Sequence, residues 1–539
     1  MQLYWLLLTL LATPAQAVDT VLVCPPVFEQ AMKPWSDFRR AQGHRLARID
    51  GTQPPDKIRQ QIRDLARSGT LRFIVLVGDA DQVPHGDRSR QGYSVPTHYV
   101  PAKVNVRWGS EPEIATDNWY ADFDDDDLPD AAIGRLSADT TSQLSNIVGK
   151  IIGYESQVAL GGQAAGGPAG DDEWRRRVNL VAGLGGFGAI VDAAIETAAK
   201  SIIAEGIPAA YTTSLTHASW RSPYCPPPAQ FGETVVGRMN EGCLFWVYMG
   251  HGQPSELDRV QVPGGEHSIL HVSDVERLQA HRGPPIALFL ACYTAAYDAR
   301  SDCLAEELLR AERGPVAAIG GSRVTMPYAM SVLGVELLKE CFVSRRPTVG
   351  EMLLYAKRAL VLGPRDDARS KQLDALASLL SPSPDELAAE RLEHVQLFNL
   401  LGDPLLALGH PLPVKVHVAD IARPGDRLVV SGECDVDGRA TVELVVRRDR
   451  LTFKPEARDD YFASSEADDE YQRTYTAANN PRLAIVRMPF SGGKFHTQLL
   501  VPEHATGACH VRVFVQGRQR FAAGSADVEI NGERMTRRR

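Results

Sequence analysis

The chain has 539 residues, 44% hydrophobic and 23% charged, a composition that supports packed cores and excludes global disorder. Lysine and arginine total 58 against 67 acidic residues, a net charge of −9, so the basic footprint of a nucleic-acid binder is missing. The length predicts three or four compact units at roughly 150 residues each.

Residues 1–17 read as a signal peptide: a short apolar run, Leu6 to Leu11, precedes the small-x-small pattern Ala15-Gln16-Ala17. This predicts export. No later stretch reaches the roughly 18 apolar residues of a membrane span. Strand Val21–Cys24 opens the mature region and is closed by Pro25-Pro26. A helical pattern over Phe28–Gln42 ends at Gly43, and strand Arg45–Ile49 follows. Helix Asp56–Arg67 and strand Phe73–Val77 complete an alternation that predicts a parallel sheet with crossover helices. The glycine-rich stretch 161–170 divides this subdomain, 18–160, from a second α/β subdomain, 171–410. There, strands are expected at Val178–Ala182, Leu244–Met249, Ile286–Leu290 and Val316–Ile319, as continuous apolar runs covered on both faces. Helices are expected over Ala189–Glu205, Leu304–Arg313, Ser331–Cys341 and Val349–Leu362. From 411 to 539 short alternating runs, Val414–Val418, Arg427–Val430, Thr441–Val446 and Val511–Val515, predict a β-sandwich. The eight cysteines contain no CxxC pair, which excludes a zinc ribbon, and their scatter is not a disulfide framework.

Two apolar strands run into reactive side chains. Leu244–Met249 leads to Gly250-His251-Gly252, and Ile286–Leu290 leads to Ala291-Cys292. Carboxyl ends of parallel strands line ligand crevices, so neighbouring strands would bring His251 and Cys292 together. A cysteine nucleophile needs a base, and histidine supplies one. Glycine beside His251 lets a substrate backbone approach, and the N–H groups of Gly252 and Cys292 are candidate oxyanion donors.

Tyr248-Met249-Gly250-His251-Gly252 and Phe289-Leu290-Ala291-Cys292 resemble the two catalytic motifs of the gingipain-type cysteine peptidases of the caspase-like clan. The likeness extends over residues 18–410, with Val21-Leu22-Val23-Cys24-Pro25, Trp35 to Gly43, Phe73 to Asp79 and Leu400-Leu401-Gly402-Asp403-Pro404 similar to further family segments. The resemblance implies a caspase-like α/β fold in two subdomains followed by an immunoglobulin-like sandwich. It implies a secreted endopeptidase acting on proteins or peptides, with Cys292 as nucleophile and His251 as base. Asp130-Ala131-Ala132-Ile133-Gly134-Arg135 is similar to the family segment whose leading acid orients the histidine, which assigns that role to Asp130.

Asp122, Asp124 and Asp126, with Asp130, alternate along one short loop, a pattern suited to structural Ca²⁺ and equally to a solvated acidic turn. Cysteine-based acyl transfer itself requires no cofactor. Gly183-x-Gly185-x-x-Gly188 follows a strand as a dinucleotide fingerprint does, leaving an NAD(P)-dependent oxidoreductase as an alternative. The acid expected about 20 residues on is missing, since Pro208 to Thr213 holds no carboxylate. A non-enzymatic surface or adhesion protein is the third alternative, opposed by the presence of both His251 and Cys292.

Overall fold

The computed structural model describes residues 18–80, 92–160, 172–183, 206–364, 368–380, 384–518 and 520–531. The signal peptide expected at 1–17, the helix expected at 189–205, and Gly185 and Gly188 lie outside these residues. In chain order the strands are β1 (Thr20–Val23), β2 (Leu46–Ile49), β3 (Phe73–Val77), a hairpin of β4 (His98–Pro101) and β5 (Glu113–Thr116), β6 (Ala132–Leu136), β7 (Arg177–Ala182) and β8 (Thr212–His217). They continue with β9 (Phe245–Met249), a hairpin of β10 (Arg259–Val262) and β11 (Gly265–Ser268), β12 (Ile286–Leu290), β13 (Ala317–Gly321) and β14 (Phe398–Leu401).

Ten of these form one sheet in the order β2-β1-β3-β6-β14-β13-β12-β9-β7-β8. Their runs of valine, isoleucine and leucine are buried on both faces, as crossover helices require; all five residues of β3, β6, β12 and β13 are buried. The sheet is not purely parallel. β13 and β14 pair antiparallel, Gly321 opposite Phe398, while β14 pairs parallel with β6. The two halves of the sheet therefore run in opposite senses. The carboxyl ends of β9 and β12 share a rim with the amino end of β6. One apolar core spans both halves, from Leu22 and Phe73 to Phe289 and Leu401, and a second lies within the first half around Val21, Ile62 and Ile74, so 18–160 and 171–410 are joined through one sheet.

The residues after 411 have their own core, including Val430, Val442, Val513 and Ile530. A six-stranded sheet faces a three-stranded one made of Lys415–His417, Arg427–Cys434 and Gly493–Leu500. Helix Ser465–Ala478, capped by the Ser464 hydroxyl, interrupts the strands that the alternation predicts. It docks on the α/β unit. Tyr475 meets Thr216 at 2.8 Å, and the Asn479 amide donates to the Leu215 carbonyl (3.0 Å) and accepts the Leu215 N–H (2.7 Å) on edge strand β8. A second seam is ionic. Glu443, fully buried, accepts Arg512 and Arg482 of the sandwich at 2.7 Å and Arg176 of the α/β unit at 3.2 Å. Among the described residues no helix is long and apolar enough to cross a membrane.

Candidate active site

β9 and β12 are parallel neighbours in register, Met249 opposite Leu290. His251 and Cys292 each follow two residues later, so both leave the sheet at the same level of the same rim. Glycine is required where the two loops touch. A Cβ on Gly252 would lie 2.6 Å from the Cys292 carbonyl oxygen and 2.8 Å from Thr294 Cγ2. Gly183, the first glycine of the apparent dinucleotide fingerprint, has the same kind of role. A Cβ there would stand 2.6 Å from the Tyr248 hydroxyl and 3.3 Å from Gly250 Cα, so this glycine is explained by close packing of β7 on the histidine strand.

The chain turns sharply after the cysteine. Tyr293 has φ of +55°, a conformation uncommon for a side chain of its size, and its N–H donates to the Arg323 carbonyl at 3.1 Å. Ala295 N–H donates to the Gly321 carbonyl at 3.0 Å, tying the turn to the end of β13. Among the described residues, the N–H groups of Gly252 and Cys292 are given to no protein acceptor and remain available to a ligand.

His251 is exposed and opens a tight hairpin in which Gly252 pairs with Leu257. Its carbonyl accepts the Tyr248 hydroxyl (2.8 Å) and the Asp258 N–H (3.2 Å). The register puts His251 directly opposite Asp258, and side chains of opposed residues share a face with Cβ atoms about 4.5–5.5 Å apart. Register thus makes Asp258 a candidate partner for the imidazole, while its Oδ1 accepts the Arg259 N–H at 2.8 Å. The sequence carries its signal, an acid seven residues after the histidine, but only the hairpin register makes that spacing meaningful. Tyr248 is buried, and burial, with the Asp258 charge adding to it, pushes its phenol well above the usual range, so it serves as a hydrogen-bonding strut.

Cys292 is the one cysteine that is not buried, and all eight are unpaired. Burial pushes the thiols of Cys24, Cys225 and Cys243 up to about 12, which makes them inert near neutrality. The Cys292 sulfur instead accepts the Thr325 N–H at 3.3 Å, and Thr325 Oγ1 and the Thr325 carbonyl each stand 3.6 Å away. Thr325 was not legible as a site residue, because it follows β13 and reaches the sulfur through its backbone.

Asp130 does not come to His251. It lies at the entry to β6, four strand spacings from β9, about 19 Å at 4.8 Å per strand. Its carboxylate accepts the Phe123 N–H (2.8 Å) and pairs with Arg358 (3.2 Å), which ties down the acidic loop. Within that loop Asp122, Asp124 and Asp130 converge with oxygens inside 4.8 Å of one another. Asp126 turns away to accept the Leu128 N–H at 2.9 Å. The candidate ligand set is therefore Asp122, Asp124 and Asp130, in place of Asp122, Asp124 and Asp126. Burial raises the Asp122 carboxyl above its ordinary value, and Arg59 pairs with it at 3.5 Å.

The sequence profile of peptidase family C25 matches residues 13–409. The chain belongs to that family. It is 24% identical over 318 residues to Lys-gingipain HG66 of Porphyromonas gingivalis, a match covering 57% of this chain and 16% of the relative. Lys-gingipain W83 of the same species is 23% identical over 321 residues. The matched region thus spans about a sixth of the length of these curated relatives. The crystal structure of the Arg-specific cysteine proteinase gingipain R superposes with a TM-score of 0.52 at 16% identity, covering 95% of this chain and 98% of that one. That likeness confirms the caspase-like α/β unit followed by a β domain as the fold of this C25 member.

Proposed function

We propose that this chain is an exported cysteine endopeptidase that hydrolyses protein or peptide substrates through a thioester at Cys292. The observation that supports the reading is the placement of His251 and Cys292 at the same level of adjacent parallel strands, with two N–H groups beside them that no described residue accepts. His251 takes the thiol proton, and the thiolate adds to the scissile carbonyl. The oxyanion accepts hydrogen bonds from the N–H groups of Gly252 and Cys292. Collapse breaks the C–N bond as the imidazolium protonates the leaving amine, leaving the thioester. His251 then deprotonates a water that attacks it and releases the acid, restoring the thiol. Asp258 holds the imidazole in the productive tautomer, the role first given to Asp130.

For the acidic loop, the fit of Asp122, Asp124 and Asp130 supports a structural Ca²⁺, a hard cation that takes oxygen ligands. Such an ion would brace the loop and take no part in the acyl steps. Export is supported by the signal-peptide pattern of residues 1–17, an apolar run before Ala15-Gln16-Ala17. The deciding experiment compares wild type with Cys292→Ala on fluorogenic peptides varied in the residue before the scissile bond. The names of the relatives make lysine and arginine the first residues to place there. Turnover by the alanine variant equal to wild type on any cleaved peptide rules the assignment out.

A further inference from the structure

The helix Leu387–Leu397 lies outside every motif considered above, yet two of its buried side chains face the segment that touches the nucleophile. His394 is fully buried. Its Nδ1 donates to the Glu390 carbonyl, one turn earlier, at 2.8 Å, and its Nε2 accepts the Met326 N–H at 3.1 Å. Glu390, also buried, accepts the Ala329 N–H at 3.0 Å. Met326 and Ala329 lie at the start of helix Pro327–Leu338, whose first N–H groups have no partner within the helix. Thr325, immediately before, gives its N–H to the Cys292 sulfur.

From this geometry we infer that His394 is a positioning residue for catalysis. By holding the Met326 amide it aims the neighbouring Thr325 N–H at Cys292 Sγ and thereby stabilises the thiolate. A hydrogen bond to the charged form of a group favours that form. The neutral thiol has a competing option, donating S–H to the Thr325 carbonyl at 3.6 Å, but the N–H contact is shorter at 3.3 Å. The imidazole must be neutral with its proton on Nδ1 for Nε2 to accept. Burial supplies that state by pulling its pKa down to about 4. Glu390 on the same helix is the titratable group bonded to this clamp, and burial pushes its carboxyl up to about 7. Around the sulfur itself, His251 shares its rim and Tyr248 lies on the adjoining strand. Glu111 is reached through the Tyr293 hydroxyl at 3.0 Å.

The inference rests on Cys292 as the nucleophile, but its test reads thiol chemistry and not peptide hydrolysis. The rate of Cys292 alkylation by iodoacetamide, mapped by mass spectrometry, is followed against pH in wild type, His394→Leu and His394→Gln. Leucine removes the acceptor, and glutamine restores one. The expected result is an upward shift of the thiolate titration by 0.5 to 1 pH unit in H394L, or about 3- to 10-fold slower alkylation on the acid limb, with H394Q close to wild type. Superimposed profiles for wild type and H394L overturn the inference. Equal shifts for leucine and glutamine overturn it too, because a packing defect alone would produce them. Should H394L not fold, residue-resolved hydrogen exchange on the wild-type chain decides. The Met326 and Thr325 amides must exchange slowly, and Cys292→Ala must accelerate Thr325 selectively. Fast exchange of Met326 in wild type, or an unchanged Thr325 in C292A, refutes it. Normal profile shifts in a chain that cleaves no peptide would leave this inference standing and remove the peptidase reading.

Discussion

Replacing Glu443 with glutamine tests how the sandwich is held to the α/β unit. The side chain has no exposure to solvent and answers to Arg512, Arg482 and Arg176, the last of which comes from the other unit and is 1% exposed. Burial by itself would raise the carboxyl, but Arg512, Arg176 and Arg482 override it and hold the pKa down to about 2 from an ordinary 4.5. A displacement of that size corresponds to about 3 kcal/mol of folded-state stability, at about 1.4 kcal/mol per pH unit. Because the folded value is the lower one, this stability is fully present above 4.5 and is lost as pH falls toward 2. Glutamine keeps the shape, removes the charge and leaves three guanidinium groups around a neutral amide, which adds to the cost. Urea unfolding followed by near-ultraviolet circular dichroism should show E443Q less stable by about 3 kcal/mol at pH 7. The difference should narrow at pH 3. Equal midpoints at pH 7, or a gap of constant size across that range, would refute the reasoning.

His394 should impose an acid limb on stability: its folded pKa lies near 4 and its ordinary value at 6.5, so the unfolded chain alone binds a proton between them and stability drops as pH falls from 6.5 to 4. Melting curves of His394→Gln should lack that limb. Asp258→Asn should lower turnover by about 10²–10⁴-fold, the range seen when an imidazole loses its orienting carboxylate. Asp130→Asn should leave turnover within about twofold, and lower the melting temperature by roughly 2–4 °C through the weakened Arg358 and Phe123 contacts; the reverse pattern would return the orienting role to Asp130. Excess chelator should lower the melting temperature of the purified protein if Ca²⁺ holds the Asp122–Asp130 loop, since an ion bound only to the folded state stabilises it by mass action. An unchanged curve removes the ion.

Much of the fold was legible because apolar runs of four to six residues are what strands covered on both faces must look like. Val178–Ala182 and Ile286–Leu290 are found within a residue of their expected bounds, as is helix Val349–Leu362. Strand Thr212–His217 was missed for the complementary reason. It sits at the sheet edge, carries three threonines and a serine, and owes its place to β7 on one side and Asn479 on the other. Helix Ser465–Ala478 is equally hard to see in the sequence, because it is a polar helix set among alternating strands and held by tertiary contacts such as Tyr475 to Thr216. At the site, His251, Gly252 and Cys292 could be found because their chemistry sits on side chains or glycines at strand ends. Asp130 was misplaced because a local motif does not reveal strand order: it sits on the same rim as His251 but four strands along it, as the order β6-β14-β13-β12-β9 decides. The roles proposed for Asp258 and Thr325 rest on hairpin register and a backbone N–H, neither of which any residue type announces.

The two hydrogen bonds from Asn479 to Leu215 reproduce, with one side-chain amide, what another strand would offer to β8. A bare outer strand is a template on which a second molecule can add its own backbone. The C-terminal domain therefore does more than append mass to the peptidase. It occupies the edge of β8 at Leu215, where the backbone of another strand could otherwise pair. Loss of the domain would leave the Leu215 N–H and carbonyl on β8 without their Asn479 partner, an open edge of the kind on which another backbone can pair.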